Sequence, residues 1–144
     1  MPRITLSEQP NYKFQYNTTV QASDLNYANH LGNDTIIGMI QDARANIFSD
    51  LGFSELDLGD GETGIIIADL VVNFKAEGFM FDELRIDSHI GEVKDKSFRI
   101  FHRIIRANDK KLIALAETGL VVFNYKRREI TVIPETFSKK VKIL

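Results

Sequence analysis

The spacing of apolar residues changes period along this chain, and that change constrains the fold more than any other feature. From Phe14 to Ala22, the residues Phe14, Tyr16, Thr18, Val20 and Ala22 alternate with Gln15, Asn17, Thr19 and Gln21. A period of two built from aromatic and β-branched residues predicts a half-buried strand. From Thr35 to Leu51 the apolar positions are Ile36, Ile37, Ile40, Ala43, Ile47 and Leu51, spaced one, three or four apart. That spacing predicts an amphipathic helix of about four to five turns. Gln41, Asp42, Arg44 and Asp50 lie largely off the stripe, and Gln41, Asp42 and Arg44 are expected as surface or subunit contacts. Asn33 or Asp34 stands where an N-cap is needed, and Gly52 where a helix stops.

Beyond the helix the pattern is that of strands. Residues 64–76 form a long apolar run, predicted to be buried on both faces near the middle of a sheet. Segments 83–92, 97–106 and 111–125 are further strands, with a turn at 107–110. Pro134 precedes a tail with room for one helical turn. The order strand, long helix, four strands predicts an antiparallel sheet with one helix across its face. One helix covers five strands thinly, and long strands leave edges to hide. Both facts predict a dimer.

Composition narrows the chemistry. The 144 residues predict a single domain, 1–144, large enough to fold without staples. There is no cysteine, which excludes disulfides, Cys-ligated metals and a thiol nucleophile. The three histidines, His30, His89 and His102, are too far apart in sequence for a metalloprotease motif. No metal and no bound cofactor is expected. A net charge of -2 argues against nucleic-acid binding. No apolar run approaches the roughly 20 residues of a spanning helix, and no apolar leader opens the chain, so a cytoplasmic protein away from membranes is expected. Residues 126–144 carry six basic and two acidic side chains, a solvated face or a patch for a phosphate-bearing ligand.

A polar knot, residues 23–34, joins the first strand to the helix. Val20, Asp24, Asn26, His30 and Asn33, followed by Ala43-Arg44, resemble the pattern V-x-x-x-D-x-D-x-x-x-H-x-x-N of hotdog-fold acyl-CoA thioesterases similar to 4-hydroxybenzoyl-CoA thioesterase. Glu77-Gly78 with Asp82-Glu83-Leu84, and Ala116 to Phe123, resemble later segments of the same family. The resemblance implies an α+β hotdog fold: a five-stranded antiparallel sheet wrapped around one long central helix. It implies a homodimer or dimer of dimers, with sites at the interface. It implies hydrolysis of acyl-CoA thioesters, coenzyme A being part of the substrate.

One position departs from the pattern. The second Asp of D-x-D is the family's catalytic carboxylate, and Asn26 stands there. An amide takes no proton from water at neutral pH. Plant acyl-carrier-protein thioesterases of this fold use an Asn two positions further on, where this chain has Ala28. The candidate catalytic residues are therefore Asp24, Asn26, His30 and Asp34. Asp24 is the intact family carboxylate, Asn26 can orient a water, His30 can take its proton, and Asp34 is a base or a cap. Gly32 and Asn33 are the candidate substrate-binding residues, their backbone N–H groups facing the thioester carbonyl from a helix N-terminus. Asp69, within an apolar strand, belongs to an interface or to the site; Glu77 is a strand-end surface residue or part of the site. His89 and His102 are plain sheet residues.

Two other functions fit the same fold. Enoyl-CoA hydratases carry a motif near D-x-N-P-x-H; Asp24 and Asn26 fit it, but the proline is missing and His30 lies one residue too far. A non-catalytic acyl-thioester-binding module also accommodates Asn26.

Overall fold

A computed structural model describes residues 3–144. The elements follow the chain as β1 (Phe14–Thr19), α1 (Asn33–Asp50), β2 (Thr63–Phe74), β3 (Glu83–Gly91), β4 (Ser97–Arg106), β5 (Leu112–Asn124), β6 (Glu129–Ile130) and α2 (Glu135–Lys142). One antiparallel sheet has the order β1-β3-β4-β5-β2, and the two-residue β6 pairs with the end of β5 beyond the start of β4. Helix α1 packs across one face. This is the α+β hotdog architecture, with one short strand and one short helix more than the sequence pattern predicts.

Alternation decides which side chains meet α1. Leu84, Ile86 and Ile90 of β3, Phe98, Ile100 and Ile104 of β4, and Leu120 and Val122 of β5 are buried. The core has two apolar clusters. One surrounds Val20, Ile36, Ile40, Ile86 and Ile104; the other surrounds Ile47, Phe48, Phe98, Leu120 and Phe137. Between them lies a polar level. It takes Arg44 from α1, Ser88 from β3, His102 from β4 and Thr118 from β5, all buried. Ser88 and His102 face each other in register, with Oγ 2.7 Å from Nδ1. Burial, with Arg44 nearby, lowers the His102 pKa to about 3, so the ring is neutral.

Several expectations are corrected. Segment 64–76 is an edge strand: β2 pairs only with β5, and residues 66–70 are exposed. The central strand is β4, between β3 and β5. An apolar run shows that its faces avoid water, without showing which molecule covers them. Arg44 is buried, and its Nε donates to Glu55 Oε1 at 2.6 Å; its long stem crosses the core to reach a carboxylate in the loop after α1. Neither Asn33 nor Asp34 caps α1, because both lie in its first turn and the N-cap is Gly32, with no side-chain cap. β1 ends at Thr19, where the chain turns into a short 3-10 helix, Ala22–Asp24. The tail is a two-turn helix. Its Phe137 is fully buried, with ring centroids 5.3 Å from Phe98 and 5.9 Å from Phe48. The stop at Gly52 is as expected, with φ +86°.

Candidate active site

The polar knot is a closed loop held by its own backbone. Asn26 N–H donates to the His30 carbonyl at 2.9 Å, and Asn29 N–H donates to the Asn26 carbonyl at 3.0 Å. Asn29 supplies the left-handed residue that the turn needs, at φ +63°. The Asn26 side-chain oxygen accepts from Ala28 N–H at 2.9 Å, which leaves the amide NH2 as the free half of that side chain. The loop is tied outward as well. Leu31 N–H donates to the Gly78 carbonyl at 2.7 Å, in the turn between β2 and β3. Arg106 pins that turn, donating to the Glu77 carbonyl at 3.2 Å and pairing with Asp82 at 3.1 Å.

These ties create a cleft of about 520 Å³. One wall presents Asn26, His30 and Asn33; the other presents Phe74, Lys75 and Glu77. His30 Nε2 is 4.0 Å from Glu77 Oε1, and its Nδ1 is 3.5 Å from the Leu31 carbonyl, a long contact. Asn33 opens α1. The first intrahelical bond is Ile36 N–H to the Gly32 carbonyl, 3.1 Å, so the N–H groups of Asn33, Asp34 and Thr35 carry the positive end of the dipole.

Gly32 is positioned differently. Its own N–H donates to the Asp24 carbonyl at 3.0 Å, so that donor is occupied and Asn33 holds the first free one. A side chain at Gly32 would collide with Asp34, whose Oδ1 would lie 2.6 Å from the added Cβ. The six candidates thus separate. Asn26, His30 and Asn33 share the cleft. Asp34 folds back over Gly32, and neither residue lines the cleft. Asp24 lines another groove, with Asn17, Gln21 and Thr35, and its Oδ2 accepts from Gln21 N–H at 2.7 Å.

The remaining charged candidates have partners elsewhere. Asp69 pairs with Arg99, which also binds Glu117, and this pairing holds the Asp69 carboxyl below its usual range. Gly119 leaves room for that triad, since an added Cβ would meet both Arg99 and Asp69. His89 and His102 lie in strands away from the cleft. Of the two readings the sequence offers for Glu77, the structure favours the second, because the turn brings this strand-end carboxylate to His30. A second groove, about 530 Å³, lies between residues 3–5 and β2; it shares Phe74 and Lys75 with the cleft and adds no carboxylate or imidazole. Among the described residues, no cluster of His, Asp and Glu suits a metal ion, and no helix is long and apolar enough to cross a membrane.

Comparison with known proteins gives this arrangement a family. No curated protein matches the chain in sequence. Solved structures match over nearly their whole length. A 1,4-dihydroxy-2-naphthoyl-CoA thioesterase from Synechocystis superposes with a TM-score of 0.82 at 20% identity, covering 91% of this chain and 96% of that one. A gentisyl-coenzyme A thioesterase superposes with a TM-score of 0.76 at 25% identity, covering 88% and 98%. A Staphylococcus aureus protein solved in complex with CoA gives a TM-score of 0.84 at 17% identity, covering 95% and 87%. The sequence profile of the thioesterase-like superfamily matches residues 20–141, from the end of the first strand to the last helix. The chain belongs to the thioesterase-like superfamily.

Proposed function

We propose that this protein hydrolyses acyl-CoA thioesters to the free acid and coenzyme A. The observation that carries this reading is the convergence of Asn26, His30 and the first free N–H of α1, at Asn33, on one cleft. The thioester carbonyl oxygen takes the Asn33 N–H, where the helix dipole favours the charge that develops there. The Asn26 amide N–H donates to one lone pair of the water. The water gives a proton to His30 Nε2 as its oxygen bonds to the carbonyl carbon, and the carbonyl electron pair moves onto oxygen. Collapse of the tetrahedral intermediate breaks the C–S bond. The thiolate leaves and recovers the proton from the imidazolium.

This scheme needs no bound cofactor. A second copy of the chain belongs to it. The edge of β2 is unpaired, and Ile66, Ile67, Leu70 and Phe74 are exposed along it, with Phe74 also on the cleft wall. A homodimer across that edge would cover them.

The direct test is free-thiol release from a panel of acyl-CoAs, acetyl to palmitoyl plus benzoyl and phenylacetyl. The chain has no cysteine to contribute background. Turnover is expected, and Asn26→Ala and His30→Ala should each lower kcat by at least ~10-fold. Asn26 also favours a second function, an acyl-thioester-binding module. Thermal stabilisation by acyl-CoA with no thiol release would select it.

A further inference from the structure

We infer that Glu77 is the positioning carboxylate for His30, standing in for the carboxylate that position 26 lacks; this rests on the thioester-hydrolysis reading above. Three observations carry it. The first is proximity: Glu77 Oε1 is 4.0 Å from His30 Nε2, and among the described residues no other ion-pair partner lies within that distance of either side chain. Lys75 is on the same wall, while Asp24 and Asp34 lie behind the loop and at the helix start. The second is construction. Glu77 is held by its own backbone, through the Arg106 bond to its carbonyl and the Leu31 bond to the next residue. Gly78 permits this approach, because a Cβ there would meet the Leu31 side chain at 3.1 Å. The third is the orientation of the ring: Nδ1 is turned toward the Leu31 carbonyl at 3.5 Å, which leaves Nε2 as the nitrogen on the side of the cleft and Glu77.

Each feature has a chemical consequence. When Nε2 takes the proton from water, the imidazolium forms beside a carboxylate. Glu77 stabilises the charge that appears during the reaction and does little for the neutral ring before it. It takes up no proton itself. Its side chain is 62% exposed, so solvent screens its pull on His30. The expected effect is therefore smaller than that of a buried orienting carboxylate.

The test is the pH profile of kcat/KM on the best acyl-CoA for the wild type, Glu77→Gln, Glu77→Asp and His30→Ala. Glu77→Gln should lower kcat by roughly three- to thirty-fold and move the acidic limb to lower pH, with KM nearly unchanged. Glu77→Asp should restore both the rate and the limb. A Glu77→Gln enzyme with the wild-type rate and limb overturns the assignment and leaves the hydrolysis reading standing. So does a rate loss with an unmoved limb, which marks a structural role. An active His30→Ala enzyme overturns it as well. A wild type that hydrolyses nothing removes the hydrolysis reading, and the role of Glu77 with it.

Discussion

The backbone N–H of Leu31 donates to the carbonyl of Gly78 across 2.7 Å, and through that bond a loop before the helix and a turn between two strands form the two walls of one cleft. The bond needs glycine at 78, where an added Cβ sits 3.1 Å from two atoms of Leu31. Gly78→Val should separate the walls. Overpacking of this kind costs about 1–3 kcal/mol, measurable as a lower denaturant midpoint. Thiol release should fall further than stability, because His30 and Glu77 lie on opposite sides of the bond.

Arg44 and Glu55 make an unequal ion pair. The Arg44 side chain is 7% exposed and that of Glu55 is 34% exposed. Glu55→Gln strands a buried guanidinium, whereas Arg44→Met leaves a carboxylate that water still reaches. Glu55→Gln should therefore be the more destabilising change, by about 1–3 kcal/mol, with Arg44→Met closer to the wild type. Chemical denaturation of the two variants checks the order.

His102 makes stability depend on pH with a definite sign. Its folded pKa of about 3 is below its ordinary value of 6.5. Between those values the unfolded chain binds a proton that the folded chain refuses. Stability is thus full above pH 6.5 and is lost as pH falls through that window, by up to about 1.4 kcal/mol per pH unit. His102→Gln, which does not titrate and can still meet the Ser88 hydroxyl, should show a shallower loss. Thermal unfolding of both proteins from pH 7 to pH 4 measures the difference.

The exposed side chains of β2 predict assembly. Light scattering should give a dimer or a tetramer. Leu70→Lys, which places a charge on that exposed strand, should shift the mass toward the monomer. A wild-type monomer at working concentration would remove the proposed interface.

Much of the fold was legible in the chain. Periodicity alone located α1 to within about two residues and matched β4 from Ser97 to Arg106. Local signals work where neighbours in sequence are neighbours in space, as in a helix stripe, a strand alternation or a glycine stop. The family pattern also brought Asn26, His30 and Asn33 forward as one group, because the loop that holds them is closed by bonds among residues 24–32.

What the sequence left open depends on contacts between distant segments. The position of β2 at the edge, the polar level of Arg44, Ser88, His102 and Thr118, and the seat of Phe137 between Phe48 and Phe98 each require strand order and register. The site divides in the same way. Sequence alone determined which polar groups stand before the helix. Tertiary structure decided that Asp24 faces another groove and that Glu77 meets His30. The physical reason is that a side chain's chemistry is set by what surrounds it, and around this cleft those groups come from segments more than 40 residues apart in the chain.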